Sequence, residues 1–329
     1  MQRILTGDRP TGPLHLGHFV GSLRNRVKLQ NQYETYIIVA DIQALTTHWE
    51  TPELIRTNVR EVTLDNIAAG LDPEKVSIFV QSMVPQIAEL TVLFGLYTSV
   101  SRLKHNPTIK TEAKQYGFTD MTYGFLGYPV SQAADILFCR ANLVPVGEDQ
   151  LPHVEVTRFV ARRFNELYGE VFPEPEAMVS DISRLIGLDG NTKMSKSLGN
   201  AIYLKDDPAE IKKKVMSAVT DPARIHKTDP GHPEICTIFA YHKAFNASEV
   251  PEIENSCRKG TIGCVSCKKN LIGKLEETLA PIRERRASFD KPGVVEDILF
   301  EGTKRATRAG EETMGMAREA MHTDYWKES

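Results

Sequence analysis

Two groups of residues have the types and spacing that nucleotide activation needs. The run Lys193, Met194, Ser195, Lys196, Ser197 puts two cations and two hydroxyls on a short stretch followed by Gly199 and Asn200, which suits a triphosphate whose charge moves during reaction. Near the other end of the same region lie His15, Leu16, Gly17 and His18. Residues 3–7 read as a strand, 8–12 as a tight turn and 14–29 as a helix, so these four open a helix directly after a strand. Backbone N–H groups and the positive helix end face an anion there, His15 and His18 can add donors to phosphate oxygens, and Gly17 lets a flat base lie against the main chain. Taken singly, either group also fits a solvated lysine loop or an ordinary helix start.

Two further sets invite chemistry. Asp135 sits among Ala133, Ala134, Ile136, Leu137 and Phe138, an interior helical pattern in which a carboxylate is costly unless a donor meets it. The bland alternative is a buried Asp paired with an Arg or capping a neighbouring segment. Cys236, Cys257, Cys264 and Cys267 cluster late in the chain, separated by 20, 6 and 2 residues. In a reducing compartment that argues for a metal rather than for disulfides. A zinc ribbon brings two C-x-x-C knuckles and this chain has one, so four-Cys iron–sulfur ligation fits at least as well, with Zn²⁺ as the alternative. Scattered core thiols with one chance C-x-x-C remain the plain reading, and Cys139, in an apolar helix, reads as core.

The elements around these residues alternate. Residues 36–41, 76–81 and 143–146 are short apolar runs of strand type, whereas 52–69, 87–100, 128–138 and 148–168 carry helical periodicity. This predicts an α/β fold, a doubly wound parallel sheet of Rossmann type, with ligands at the carboxyl ends of its strands. Residues 102–127 are polar and Gly/Thr-rich and read as a connecting insertion. From residue 207 onward helical patterns dominate, 221–233 is rich in Pro, Asp and Gly, and no repeat or low-complexity tract appears. The expected division is a catalytic domain over 1–205, with its insertion around 101–127, and a helical domain over 206–329.

With 329 residues and a net charge of -3, the chain has room for a sizeable core and no bulk charge advertising an RNA partner. Residues 205–329 balance at 21 Lys+Arg against 21 Asp+Glu. Contacts to nucleic acid would have to use local patches, for which Lys212 to Lys214, Lys268, Lys269, Arg283, Arg285 and Arg286 are candidates, each also readable as a solvated helix face. No uncharged run is long enough to span a bilayer and the N-terminus lacks a signal-peptide pattern, so a cytoplasmic, non-membrane protein is expected.

The HLGH and KMSKS sequences, in this order, resemble the paired signatures of class I aminoacyl-tRNA synthetases. The stretch Tyr128, Pro129, Val130, Ser131, Gln132, Ala133, Ala134, Asp135, followed by Val144 to Gln150, is similar to the tryptophanyl branch nearly end to end. The resemblance implies that L-tryptophan is activated by ATP with Mg²⁺ and passed to tRNA(Trp). In these terms His15, His18, Lys193 and Lys196 would be catalytic. ATP would lie against Arg9, Pro10, Thr11, Gly17, His18, Gly147, Glu148, Asp149, Lys193, Met194, Ser195, Lys196 and Ser197. Tryptophan would meet Gly7, Tyr128, Asp135 and Gln150, with Tyr128 and Gln150 on its α-amino group and Asp135 on the indole N–H. Arg9 replaces a Gln common in the family, and Gln43 and Leu5 stand where His and Phe are frequent. A subset of bacterial members carries a C-terminal [4Fe–4S] cluster on cysteines in this order, which would make Cys236, Cys257, Cys264 and Cys267 the ligands. A homodimer is implied by the family alone. The competing readings are a tyrosyl enzyme, a small-molecule nucleotidyltransferase on the same HxGH site, and an iron–sulfur RNA-binding protein without ligase activity.

Overall fold

In a computed structural model, residues 1–179, 185–190, 194–195 and 198–325 are described, with Asp149 represented by its backbone. Five strands, β1 (Arg3–Asp8), β2 (Glu34–Val39), β3 (Val76–Val80), β4 (Leu143–Val146) and β5 (Glu176–Val179), form one parallel sheet in the order β3-β2-β1-β4-β5. The order reverses between β1 and β4, the switch point at whose carboxyl ends sheets of this kind bind ligands. Along β2, Tyr36 and Ile38 enter the core on one face of the sheet while Ile37 and Val39 enter the core on the other. Burial on both faces explains why the strand reads as a continuous apolar run rather than as an alternation.

The first crossover begins with α1 (Leu16–His18), passes through a π-helical stretch, Phe19–Leu23, and continues as α2 (Arg24–Leu29). Helices α3 (Asp41–His48) and α4 (Pro52–Ala68) link β2 to β3. Between β3 and β4 lie α5 (Pro85–Gly95), α6 (Val100–His105), α7 (Pro107–Gln115) and α8 (Tyr123–Leu137), and α9 (Leu151–Tyr168) joins β4 to β5. The remainder is helical: α10 (Pro208–Ser217), α11 (Thr237–Phe245), α12 (Val250–Arg258), α13 (Cys264–Phe289) and α14 (Val294–Ala320).

Two local readings of the sequence change. Residues 102–127 carry helices rather than a plain polar insertion, because Asn106 before Pro107 and Thr122 before Tyr123 are good helix starts. Asn106 Oδ1 accepts from the Thr108 N–H at 2.9 Å and Thr122 Oγ1 from the Phe125 N–H at 3.2 Å, so α8 begins five residues ahead of the expected Tyr128. Strand β5 is not legible in the sequence at all. It has four residues, begins with Glu176 and is half-exposed at the sheet edge, so its apolar run, Ala177 to Val179, is too short to read as a strand.

The last two helices return to the sheet. Helix α13 lies along α4, and α14 lies against the outer side of β3, where Arg305 Nη2 donates to the Val76 carbonyl at 2.8 Å and to the Pro73 carbonyl at 3.0 Å. Gly302 of α14 abuts the Ile78 carbonyl so closely that a Cβ would overlap it.

Candidate active site

The two signature segments meet. His15 caps the helix, its Nδ1 accepting from the Gly17 N–H at 3.1 Å, and His18 Nδ1 accepts from the His15 N–H at 3.2 Å. With both Nδ1 atoms accepting, each neutral ring carries its proton on Nε2, the tautomer that can donate to a phosphate oxygen. The rings stand 3.9 Å apart, centroid to centroid. From the other motif, Met194 Sδ lies 3.4 Å from the Gly17 nitrogen, and a Cβ at position 17 would fall 2.9 Å from the His15 ring and 3.6 Å from Met194. A bare glycine is thus what lets the His15 ring fold back over the helix start, while Met194 comes to ordinary contact distance. Ser195 N–H donates to Asn200 Oδ1 at 2.8 Å, and Asn200 Nδ2 in turn donates to Asp189 at 3.0 Å. Lys193, Lys196, Ser197 and the side chain of Asp149 lie outside the described residues.

Strand β1 delivers the turn. Gly7 faces Ile38 of β2 so tightly that a side chain would overlap its carbonyl. Next to it, Asp8 pairs with Arg26 of α2 at 2.5 Å, both side chains almost wholly buried, and Arg26 also donates to the Gly7 carbonyl at 2.9 Å. Burial alone would raise the Asp8 carboxyl, but the Arg26 guanidinium and the hydrogen bonds from Arg26 and Asn66 hold it at about 2. This pair fixes the base of the turn that carries exposed Arg9, buried Pro10 and Thr11, whose N–H closes on the Arg9 carbonyl at 2.8 Å. Sequence reasoning does not single out Asp8 or Arg26. A lone Asp after a strand and an Arg 18 residues on give no pattern until the fold joins them.

Asp135, on α8, is 3% exposed. Gln81, directly after β3, donates from Nε2 to its Oδ1 at 2.7 Å, and Gln43 of α3 donates from Nε2 to its Oδ2 at 3.3 Å. Gln81 also accepts the Gln43 backbone N–H at 3.1 Å, which locks the two amides together. The pairing with an Arg expected of a structural buried Asp is not what holds this one. Burial, the largest influence, pushes its carboxyl up to about 7 against the two amide hydrogen bonds, with nearby Asp41 adding to the rise. A carboxylate has about four acceptor positions, so capacity for a further N–H remains. Gln81 is a pocket residue the sequence does not reveal, because a Gln at a strand end has many uses.

Tyr128, two turns earlier on α8, holds its hydroxyl 2.9 Å from His153 Nε2 of α9, and burial raises the phenol with Glu112 of α7 reinforcing the rise. Gln132 Nε2 donates to Gln150 Oε1 at 3.4 Å, placing Gln150 beside the same helix. Leu5 is core, 4% exposed. Gly147 ends β4 and Glu148 opens the short helical turn Glu148–Gln150, at the switch point beside β1. Sheet end, HLGH helix, buried carboxylate and α8–α9 polar pair therefore converge at the carboxyl edge of the sheet.

The family match decides the class: the profile described as tRNA synthetases class I (W and Y) matches residues 1–280. The chain belongs to the class I tRNA synthetases for tryptophan and tyrosine. Among relatives of this synthetase, the tryptophan–tRNA ligase of Thermotoga maritima is 48% identical over 97% of this chain and 99% of its own length. The tryptophan–tRNA ligase of Aquifex aeolicus is 41% identical over 97% and 99%. A crystal structure of tryptophanyl-tRNA synthetase from Campylobacter jejuni, complexed with ADP and tryptophan, superposes with a TM-score of 0.86 at 30% identity, covering 98% of this chain and 100% of that one.

The synthetase gathers its four late cysteines in one neighbourhood. Cys236 precedes α11, Cys257 lies near the end of α12, and Cys264 and Cys267 are in the first turns of α13. Arg224 Nη1 lies 3.9 Å from Cys257 Sγ and 3.8 Å from Cys264 Sγ. Burial pushes the Cys267 thiol up to about 12, and the thiols of Cys236, Cys257 and Cys264 reinforce the rise. Even so, among the described residues no group of three or more His, Cys, Asp or Glu stands in an arrangement ready to hold a metal ion, so the [4Fe–4S] and Zn²⁺ expectations find no preformed site. Mutual electrostatic influence reaches further than a coordination bond, so the thiols are neighbours without being a ligand cage.

Several basic residues taken as candidate RNA contacts are used inside the protein. Lys268 is buried and donates to the Met216 and Ala218 carbonyls at 2.8 and 2.7 Å. Arg285 donates to the Ala68 carbonyl at 2.9 Å, and Arg286 binds carboxylates of α4. Lys212, Lys213 and Lys269 remain exposed. Among the described residues no helix is long and apolar enough to cross a membrane.

Proposed function

We infer that the protein is an ATP-dependent tryptophan–tRNA ligase. The carrying observation is Asp135, a buried carboxylate held by two neutral amides rather than by a cation, at the sheet edge where the HLGH helix begins. Such a group has acceptor capacity suited to an indole N–H and rejects analogues lacking one. The tryptophan carboxylate attacks the α-phosphorus of ATP and pyrophosphate leaves; the 2′- or 3′-hydroxyl of the terminal tRNA(Trp) adenosine then takes the acyl group. His15 and His18 donate from Nε2 to phosphate oxygens, and Lys193 and Lys196 neutralise the charge that develops there; a Mg²⁺ ion bound with ATP would add positive charge at the same phosphates. Arg9, Pro10, Thr11, Gly17, Gly147, Glu148, Asp149, Met194, Ser195 and Ser197 surround the nucleotide. Gly7, Tyr128 and Gln150 complete the amino-acid site, with His153 and Gln132 orienting the latter two.

On this reading residues 1–205 carry the chemistry and 206–329 read the tRNA, in the cytoplasm. The protein is a homodimer; the exposed Val92 of α5, Leu96 just past its end and Val100 at the start of α6 support an apolar contact face. The four late cysteines would hold a [4Fe–4S] cluster, its assembly drawing the neighbouring thiols into a ligand set. What supports this is the four-sulfur donor set and the Arg224 guanidinium beside two of the sulfurs, which offsets thiolate charge.

Amino-acid-dependent exchange of pyrophosphate into ATP, run with all twenty amino acids, tests the ligase reading. Tryptophan alone should support it. Exchange with tyrosine instead would favour the tyrosyl alternative, and exchange with none would leave a non-catalytic protein.

A further inference from the structure

Behind the HLGH helix, four segments distant in the chain close a ring of polar contacts. Asp65 of α4 is fully buried, and its Oδ2 accepts the Leu14 backbone N–H at 2.7 Å while Oδ1 accepts from Arg286 Nη1 of α13 at 2.5 Å. Arg286 Nη2 donates to Glu61 Oε2 at 2.9 Å, and the same oxygen takes Lys205 Nζ at 2.8 Å. Lys205 follows Leu204, whose N–H donates to the Leu14 carbonyl at 3.0 Å and so returns to the start. Inside this ring His15 bridges Tyr203, and the Leu16 N–H donates to the Ile202 carbonyl at 2.9 Å.

A buried carboxylate–guanidinium pair is a poor device for stability alone, since apolar residues of similar volume often do as well. Its particular property is direction: it fixes where a bonded N–H can sit. The N–H fixed here belongs to the residue just before His15, and the segment fixed opposite follows the KMSKS loop.

We propose that Asp65 and Arg286 are positioning residues for adenylate formation. They hold Leu14, and through it the His15 cap, in register with residues 202–205, so that the seating of α13 is felt at the nucleotide site. The proposal rests on the ligase reading and adds the residues that set its geometry. Neither residue touches substrate. Burial raises the Asp65 carboxyl to about 6, outweighing the opposing pull of Arg286 and the Leu14 N–H.

The test uses full-length protein and two measurements, pyrophosphate exchange and equilibrium tryptophan binding, each normalised to active-site titre. Arg286→Gln should raise the KM for ATP or lower kcat by about tenfold, since small misplacements of reacting groups carry large rate penalties. Its tryptophan affinity should stay within error of the parent. Arg286→Lys, able to keep one of the two carboxylates, should recover part of the loss. The double variant Asp65→Asn with Arg286→Gln should be no worse than the poorer single one. Lys205→Met opens the ring at a half-exposed position without stranding a buried charge, so it reports even where the Arg286 variants fail to fold, and it should shift ATP kinetics in the same direction. Equal losses for ATP and tryptophan, or ATP kinetics unchanged in Lys205→Met, would overturn the proposal. Absence of exchange in the parent protein would instead overturn the ligase reading beneath it.

Discussion

Tryptophan affinity should rise with pH, and Asp135 should be the reason. Burial lifts its carboxyl to about 7, whereas the hydrogen bonds from Gln81 and Gln43 favour the charged form and keep it from going higher. An indole N–H donates more strongly to a carboxylate than to a neutral acid, so the charged protein is the binding form. With half-ionisation near 7, about one molecule in eleven is charged at pH 6 and about ten in eleven at pH 8, and the apparent dissociation constant should fall by about tenfold over that interval. Titration calorimetry in buffers of different ionisation enthalpy measures both quantities, because binding near pH 7 should release about half a proton. Asp135→Asn should abolish both the slope and the proton release. A flat wild-type profile, or the same slope in the Asn variant, would refute the reasoning. The effect on stability has the opposite sense. The unfolded group ionises near 3.8 and the folded one near 7, so between these values the unfolded chain holds fewer protons. The ligand-free protein therefore loses stability as pH climbs through that window, and saturating tryptophan should restore it.

Three further outcomes follow from distances given above. Gly17→Ala places a methyl group 2.9 Å from the His15 ring and should dislodge a cap worth about 1 kcal/mol; exchange should slow while tryptophan affinity holds, and parent-like exchange kinetics would contradict it. Asp8→Ala strands the Arg26 guanidinium and should cost about 3–5 kcal/mol in denaturant unfolding. Since the folded Asp8 ionises near 2 and the unfolded one near 3.8, its contribution should vanish as pH falls through that range, and acid unfolding curves of parent and variant should converge there. Protein purified without oxygen should contain iron and sulfide in equal amounts, and Cys264→Ser should lose both and impair tRNA charging more than exchange; stoichiometric zinc without iron would remove the cluster and keep a four-cysteine site.

The sequence exposes those parts of the protein whose residue types are chemically narrow. Two lysines with two hydroxyls, an HxGH at a helix start and a carboxylate among apolar neighbours each have few uses, so the nucleotide site and Asp135 stand out from the residue order alone. The sheet is legible where strands are buried on both sides, as at 36–41 and 76–81. It is illegible at β5, whose apolar run of three residues behind Glu176 is too short to mark a strand. Side chains with many uses stay hidden. Gln81, Asp65 and Arg26 act through partners between 18 and 221 residues away, a relation that no local pattern encodes. The same lack of context makes Lys268 look like an RNA contact when its ammonium caps two carbonyls indoors.

The seating of α14 on β3 bears on how the chain is born. Translation delivers β3 early, with its outer row of carbonyl and amide groups unpaired, and such a row templates association with any other extended chain. Gly302 and Arg305, which close that row, leave the ribosome long after β3 has done so. A nascent chain must therefore keep an open-edged sheet out of trouble while every element between β3 and α14 is being made. A premature stop upstream of Gly302 would yield an adhesive fragment rather than a smaller enzyme.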